Sequence, residues 1–327
     1  MLVIDTTNQK KIIFECEKQW NEQKEESKLV TVAKKKIDDE VFFKTHQELR
    51  GAIYKAICSC LDAKRGNYYE FALSAICTCY EHLRVFHQNI LPTKDSENEK
   101  MMKNQCRIHV PLEITYFVNA IETEIREKRL SYRNEDDVNA ILSKLYNETL
   151  RIKKIYNSKV YNPVDYTDYM LDLDLGIYDS DLDEYFLYEV KSKGKGGADV
   201  IPEHIHKLFM KYCSIVFNND VSFDKIHYAW VLVADFKNNK LYKGNGGYID
   251  LKTFLERHSI TLSDSFKTKI FETISCTNDE EMYAIVKRVM RLYTELEGCA
   301  DRESGHYKTP TQFKAAYKKF YNSRFEK

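Results

Sequence analysis

The chain has 327 residues, 43% hydrophobic and 31% charged, and its 50 basic and 50 acidic side chains leave a formal net charge of zero. That balance belongs to a globular chain forming one large domain or two of ordinary size, and excludes a disordered one. It also excludes a global basic signature of indiscriminate nucleic-acid binding, although a basic cleft can sit within a neutral exterior.

No apolar run approaches the roughly 20 residues that span a bilayer, so no membrane association is expected. The charged residues Asp5, Lys10, Lys11 and Glu15 do not read as a signal peptide. Nine cysteines, an odd number without framework spacing, predict reduced thiols and an intracellular, cytoplasmic setting.

The first stretch, about 160 residues, reads as mostly helical. Lys34-Lys35-Lys36 is a solvated basic face. Between Gly51 and His87 two apolar helices are predicted on either side of Lys64-Arg65-Gly66-Asn67, with Gly66-Asn67 as the turn. Ala56-Ile57-Cys58-Ser59-Cys60 and Ala75-Ile76-Cys77-Thr78-Cys79 are near copies, which raises a zinc reading. On a helix, however, residues i and i+2 point about 200° apart, and buried thiols explain both copies better.

Leu91 to Lys100 is polar and reads as a loop. Pro111 opens a helix whose Ile114, Phe117, Val118, Ile121 and Ile125 follow helical spacing, and which also carries Glu113, Glu122 and Glu124. A further helix starts near Glu135, places Val138, Ile141, Leu142 and Leu145 on one face, and ends in Arg151-Ile152-Lys153-Lys154.

Leu171 to Tyr178 alternates strictly, with Leu171, Leu173, Leu175 and Ile177 on one face and Asp172, Asp174, Gly176 and Tyr178 on the other, the period of a strand. Tyr185 to Lys191 is a second, aromatic-rich strand, and the acidic segment 179–184 can turn, so the two predict an antiparallel hairpin. If the hairpin is symmetric about that turn, Tyr178 faces Tyr185, Asp174 faces Glu189 and Asp172 faces Lys191. Directly opposed side chains have Cβ atoms about 5 Å apart. Two carboxylates so close repel, and a hard divalent cation such as Mg²⁺ removes the conflict.

An Asp on one strand followed by Glu-Val-Lys on the next resembles the PD-(D/E)xK nuclease superfamily, to which most type II restriction endonucleases belong. By that resemblance Asp174 is the first acidic residue of the motif, Glu189 the second and Lys191 its lysine. Asp174, Glu189 and Val190 are then the positions that hold Mg²⁺. Leu173 stands where the family often has proline, and Asp172 is a rival to Asp174 for the same catalytic role. A helix ahead of the motif sometimes adds a carboxylate in such enzymes, which puts Glu113, Glu122 and Glu124 in view.

Beyond the hairpin, Ser192 to Asp199 is glycine-rich and basic, so that Lys193, Lys195 and Gly196 are placed to meet a DNA backbone. It is not a Walker A loop. Asp199 and Pro202 open a helix with Ile201, Ile205, Leu208, Phe209, Tyr212, Ile215 and Val216 as its buried stripe, leaving Glu203, His206, Lys207 and Met210 on other faces. Lys207 is a further candidate DNA contact. His204 and His206, two apart, read as surface or DNA-facing residues. Lys225 to Phe236 is a buried strand, and Asn238-Asn239 turns it toward Leu241-Tyr242. Gly244-Asn245-Gly246-Gly247 then leads to Tyr248-Ile249-Asp250-Leu251 and a helix. Thr277-Asn278-Asp279-Glu280 is a capping box opening a helix to Glu297, and Thr309-Pro310 starts a last helix with aromatic and basic residues interleaved.

The predicted fold is α/β (α+β), a restriction-endonuclease-like mixed sheet flanked by helices. Residues 1–110 form a mainly helical region for DNA recognition or dimerisation, 111–260 the catalytic core and 261–327 a helical region packing on it. The resemblance implies a Mg²⁺-dependent endonuclease acting on double-stranded DNA as a homodimer, in a prokaryotic or phage setting. Two other readings compete with it: a structure-specific repair or phage nuclease of the same fold, and a non-enzymatic helical scaffold or nucleic-acid-binding protein in which Glu189 and Lys191 are ordinary surface pairs.

Overall fold

The run Ile226–Leu232 carries too many apolar and aromatic side chains to leave either face in water, and it forms an interior strand, as its pattern predicts. The computed structural model describes residues 4–25, 28–32, 35, 46–86, 106–128, 134–158, 166–171, 173–192, 200–218, 220–233, 243–244, 246–276 and 279–292. In chain order the elements are α1 (Thr6–Gln23), α2 (His46–Cys77), β1 (Leu83–Phe86), β2 (Cys106–Pro111), α3 (Leu112–Lys128), α4 (Glu135–Asn157), β3 (Tyr166–Leu171), β4 (Leu175–Asp179), β5 (Glu184–Lys191), α5 (Val200–Asn218), β6 (Ile226–Leu232), β7 (Tyr248–Asp250), α6 (Leu251–Arg257), α7 (Asp264–Thr268) and α8 (Asp279–Leu292). The chain divides into two units, Met1–Ile13 with Tyr69–Phe271, and Phe14–Tyr68 with Glu272–Lys327.

The first unit is built on a mixed sheet of order β1-β4-β5-β6-β7, antiparallel across its first two pairings and parallel across its last two. Strands β2 and β3 form a separate antiparallel pair. The path β5–α5–β6 is the crossover that parallel neighbours require. On one face Leu187, Tyr228, Trp230 and Leu232 pack with Val118 and Ile121 of α3, Leu142 and Leu145 of α4, and Phe209 and Val216 of α5. On the other face Tyr188 meets Phe254 at 5.1 Å between ring centroids, and Phe186 meets His258 edge-on at 4.6 Å. Each large apolar side chain enclosed in this way stabilises the fold by about 1.5–3 kcal/mol. Helix ends are fixed locally: Asn134 Oδ1 accepts the Asp136 N–H at the start of α4, and Asp250 Oδ1 accepts the Thr253 N–H at the start of α6.

The hairpin has the symmetric register: Tyr178 pairs with Tyr185, Ile177 with Phe186, Gly176 with Leu187 and Leu175 with Tyr188. Asp179 holds the turn by accepting the N–H groups of Asp181 (3.1 Å) and Leu182 (3.3 Å), while Asp183 takes a left-handed φ of 55°. The predicted first strand is nevertheless not continuous from Leu171 to Tyr178. Leu171 ends β3 in the small sheet, Asp174 lies at a bend, and β4 starts at Leu175. At the bend the Asp174 carboxylate, instead of a backbone carbonyl, accepts the Val190 N–H, so the chain leaves the ladder there. Nor does Tyr178 face water: all five residues of β4 are buried, because elements cover both faces of the sheet.

Three further expectations change. The helical stretch expected to reach His87 ends at Cys77, and Leu83–Phe86 extends instead as β1, whose backbone pairs with β4. Residues 64–67 do not turn; α2 runs unbroken through Gly66. A helical glycine costs only about 1 kcal/mol, and its surroundings offset that: Arg65 pairs with Asp62 at 2.7 Å and donates to Ser275 O, Lys64 donates to Gln23 O, and Tyr68 is fully buried edge-on against Trp20. Met210, expected on an outer face of α5, is buried, because it joins the core cluster that α5 shares with α3, α4, β5 and β6. Within the second unit, Ile53, Ile57 and Leu61 at i, i+4 and i+8 supply the buried stripe of α2. The 91–100 loop, the Asn238-Asn239 turn with Leu241-Tyr242, Thr277-Asn278 and the helix from Thr309 lie outside the described residues. Among the described residues no helix is long and apolar enough to cross a membrane.

Candidate functional site

Near the C-terminal end of β5 the chain direction turns Glu189 and Lys191 to the face covered by α3, α4 and α5, the same face as Leu187. Asp174, at the bend preceding β4, reaches across to β5. Its Oδ2 accepts the Val190 N–H at 2.8 Å and the Lys191 ammonium at 3.0 Å. Lys191 Nζ also donates to Glu189 Oε2 at 3.2 Å. The other oxygen, Glu189 Oε1, accepts from Lys211 of α5. Two carboxylates and two ammoniums thus interlock. The side chains of Asp174, Glu189 and Lys211 are 12%, 13% and 8% exposed, whereas Lys191 at 38% reaches solvent.

Burial acts against a charged lysine, but Asp174 and Glu189 outweigh it and hold the Lys191 pKa above its ordinary value. For Glu189, burial together with the nearby Asp174 raises the carboxyl pKa against the pull of Lys211 and Lys191. Burial thus drives the Glu189 shift and opposes the Lys191 shift, which the two neighbouring carboxylates carry.

Among the described residues no group of three or more His, Cys, Asp or Glu side chains stands together in the manner of a metal site. The donor chemistry at 174 and 189–190 still fits one hard cation. The N–H and C=O of a strand residue point to the same side, so the Val190 carbonyl is turned toward Asp174, while the neighbouring Lys191 carbonyl accepts from Val233 on the β6 side at 3.1 Å. Two carboxylates and a carbonyl are the partial shell that Mg²⁺ accepts, with water and substrate phosphate completing it.

The structure therefore brings together Asp174, Glu189, Val190 and Lys191. Asp172 lies outside the described residues, as do Lys193, Lys195 and Gly196; Lys207 lies on α5. The three acids of α3 each have a partner: Glu113 accepts from the Tyr156 hydroxyl at 2.5 Å, Glu124 pairs with Lys144 at 2.5 Å, and Glu122 Oε2 lies 3.4 Å from His206 Nδ1. His206 is thus half-buried against a carboxylate and not a free surface group. The Glu122 Oε1 atom is buried without a hydrogen-bond partner. Cys60 and Cys77 are buried and Cys58 and Cys79 partly so, all four as free thiols.

Two arrangements escaped the sequence. Lys211 did, although it is the one charge in the run Leu208–Phe217 and so carried a signal. The second is a buried chain on the opposite face: His258 Nδ1 donates to Asp179 Oδ2 at 3.0 Å and His258 Nε2 accepts from the Tyr188 hydroxyl at 2.8 Å. Burial lowers the His258 pKa despite Asp179, so the imidazole is neutral, which matches its two hydrogen bonds. Asp179 titrates below the usual carboxylate value; burial opposes this, and the bonds from His258 and the Leu182 N–H outweigh it. All three side chains are 2% exposed or less, so the chain locks α6 to the hairpin and is closed to a substrate. No spacing announces it, since Asp179 and His258 are 79 positions apart.

Compared with protein-family models, with curated proteins and with solved structures, the chain matches none.

Proposed function

We propose that the protein is a Mg²⁺-dependent DNA endonuclease with the PD-(D/E)xK core, of the type II restriction class, acting on double-stranded DNA as a homodimer. One observation carries this: Asp174 and Glu189, from adjoining extended segments, meet at a single ammonium, Lys191, which is 3.0 Å from the first and 3.2 Å from the second. The order of elements supports it, since the acid-bearing hairpin is followed by a helix crossing to a parallel neighbour. In this proposal Asp174, Glu189 and the Val190 carbonyl would hold Mg²⁺, which would supply Lewis-acid polarisation of the phosphate and make the attacking water more acidic. Lys191, the most exposed of the four charged groups, orients the attacking water and neutralises charge as it grows on the phosphate. Water oxygen forms the new bond to phosphorus, the P–O bond to the leaving nucleotide breaks, and the departing oxygen gains a proton. Lys193, Lys195, Gly196 and Lys207 are proposed contacts to the DNA backbone.

A purified-protein digest of unmethylated plasmid, with and without Mg²⁺ and alongside Lys191→Ala, tests the proposal. Discrete, repeatable fragments that require both Mg²⁺ and Lys191 support it. Cleavage confined to junctions or free ends reassigns the site to a structure-specific nuclease of the same fold. One observation favours a non-enzymatic reading: the four charges already satisfy one another, as a structural ion-pair network does. On that reading Mg²⁺ produces no cleavage of any DNA, and Glu189→Ala alters stability alone.

A further inference from the structure

Lys211 has no part in the chemistry described so far, yet it is among the most enclosed charges of the molecule. It is 7% exposed, lies on α5 among Phe209, Met210, Tyr212 and Cys213, and donates to Glu189 Oε1. An ammonium taken out of water costs several kcal/mol unless it is paired, and a helix needing only bulk at this position would be served by Leu or Met. Its partner is the acid that the proposed site depends on, and that acid's other oxygen meets Lys191. Two carboxylates here face two lysines, so the formal charges of the cluster balance.

We infer that Lys211 is a built-in counter-ion, which fixes Glu189 before the metal arrives and sets how weakly the divalent cation is held. The inference rests on the proposed Mg²⁺ site and deepens it. A site that is already neutral does not draw a divalent cation strongly. A cation bound by Glu189 must also approach an ammonium attached to the same carboxylate, and the two repel. Lys211 has three donor hydrogens and no acceptor, so it can only compete for the carboxylate oxygens. Lys211 is accordingly a positioning residue acting through Glu189, and its removal should make metal binding tighter, although the fold is weakened.

Mn²⁺ binding to the full chain, by titration calorimetry at pH 8 without DNA, tests this. Lys211→Met should tighten Mn²⁺ binding by at least about tenfold, the effect that Coulomb's law gives for charges of one and two roughly 5 Å apart even when water screens them fully. Lys211→Gln, which is neutral but still donates hydrogen bonds, should tighten it similarly, whereas Lys211→Arg should bind within about threefold of wild type. If Lys211→Met does not fold, the Gln and Arg variants decide. Wild-type affinity in both neutral variants, with Mn²⁺ binding still abolished by Glu189→Gln, overturns the role of Lys211 and leaves the metal site standing. Absence of Mn²⁺ binding in the wild type, or wild-type binding in Glu189→Gln, overturns the metal site and this inference with it.

Discussion

Lys191→Met removes an ammonium and keeps most of its stem, and its effects on stability and on rate should differ enough to be told apart. The ammonium makes two contacts, 3.0 Å to Asp174 and 3.2 Å to Glu189, on a side chain that is 38% exposed. Solvent at that exposure screens each contact to about 0.2–1 kcal/mol. The loss of stability is then about 0.4–2 kcal/mol, which in a unit of roughly 150–250 residues lowers Tm by about 1–8 °C. A group that orients water and neutralises phosphate charge contributes about 10²- to 10⁴-fold to rate, or roughly 3–5.5 kcal/mol. Single-turnover cleavage of unmethylated plasmid in Mg²⁺ should therefore slow by at least about a hundredfold, with a modest fall in Tm by scanning calorimetry and Mn²⁺ binding retained or tightened, because both carboxylates remain and one competing ammonium is gone. A variant that cleaves within about threefold of the wild-type rate while binding Mn²⁺ normally would refute a chemical role for Lys191.

The buried His258 predicts a pH dependence of stability. Its pKa is lowered in the folded state, so below the ordinary histidine value of 6.5 the unfolded chain takes up a proton that the native chain refuses. Stability is full above pH 6.5 and should fall by about 1.4 kcal/mol per pH unit below it, until the folded pKa is reached. Urea unfolding at pH 5.5 and 7.5 measures this, and a slope of the same size in His258→Gln would contradict it. Gly246→Ala should lower Tm by several degrees: φ is +75°, and an added Cβ would come within 2.5 Å of Val138 Cγ1 and 2.7 Å of Leu142 Cδ1, displacing α4. An unchanged Tm would mean that the loop relaxes freely. Phe254→Ala, at a fully buried ring against Tyr188 and His258, should cost about 3–5 kcal/mol in equilibrium unfolding; a loss under about 1 kcal/mol would show that α6 does not seal that face.

How much of this was legible in advance depends on the distance along the chain. The hairpin register was readable because a short turn and a period of two leave one pairing that keeps Leu175, Ile177, Phe186 and Tyr188 enclosed, and it is the pairing found. With that register came the meeting of Asp174 and Glu189. The helix near Glu135, the crossover after the hairpin and the interior strand at Ile226 were likewise written in periodicity and end signals. The break before Leu175 was not, because alternation runs on through Leu171 while the side chain of Asp174 takes over a backbone bond to Val190. Gly66-Asn67 misled for the opposite reason, since local turn preference yields to the burial of Tyr68 beside it.

By itself the sequence determined that the segments of β4, β5 and β6 extend, that those of α4 and α5 coil, and that Asp174 comes close to Glu189, because those choices are made between residues a few positions apart; β1 and β2 lie inside the stretch that periodicity assigns mostly to helix. Only the tertiary structure decided that Lys211, 22 positions beyond Glu189, closes the fourth corner of the charge cluster, and that His258 bridges Asp179 and Tyr188. Those contacts form when α5 and α6 are laid on opposite faces of the sheet. The packing of whole layers sets them, and no period or spacing in the chain records where two layers will touch.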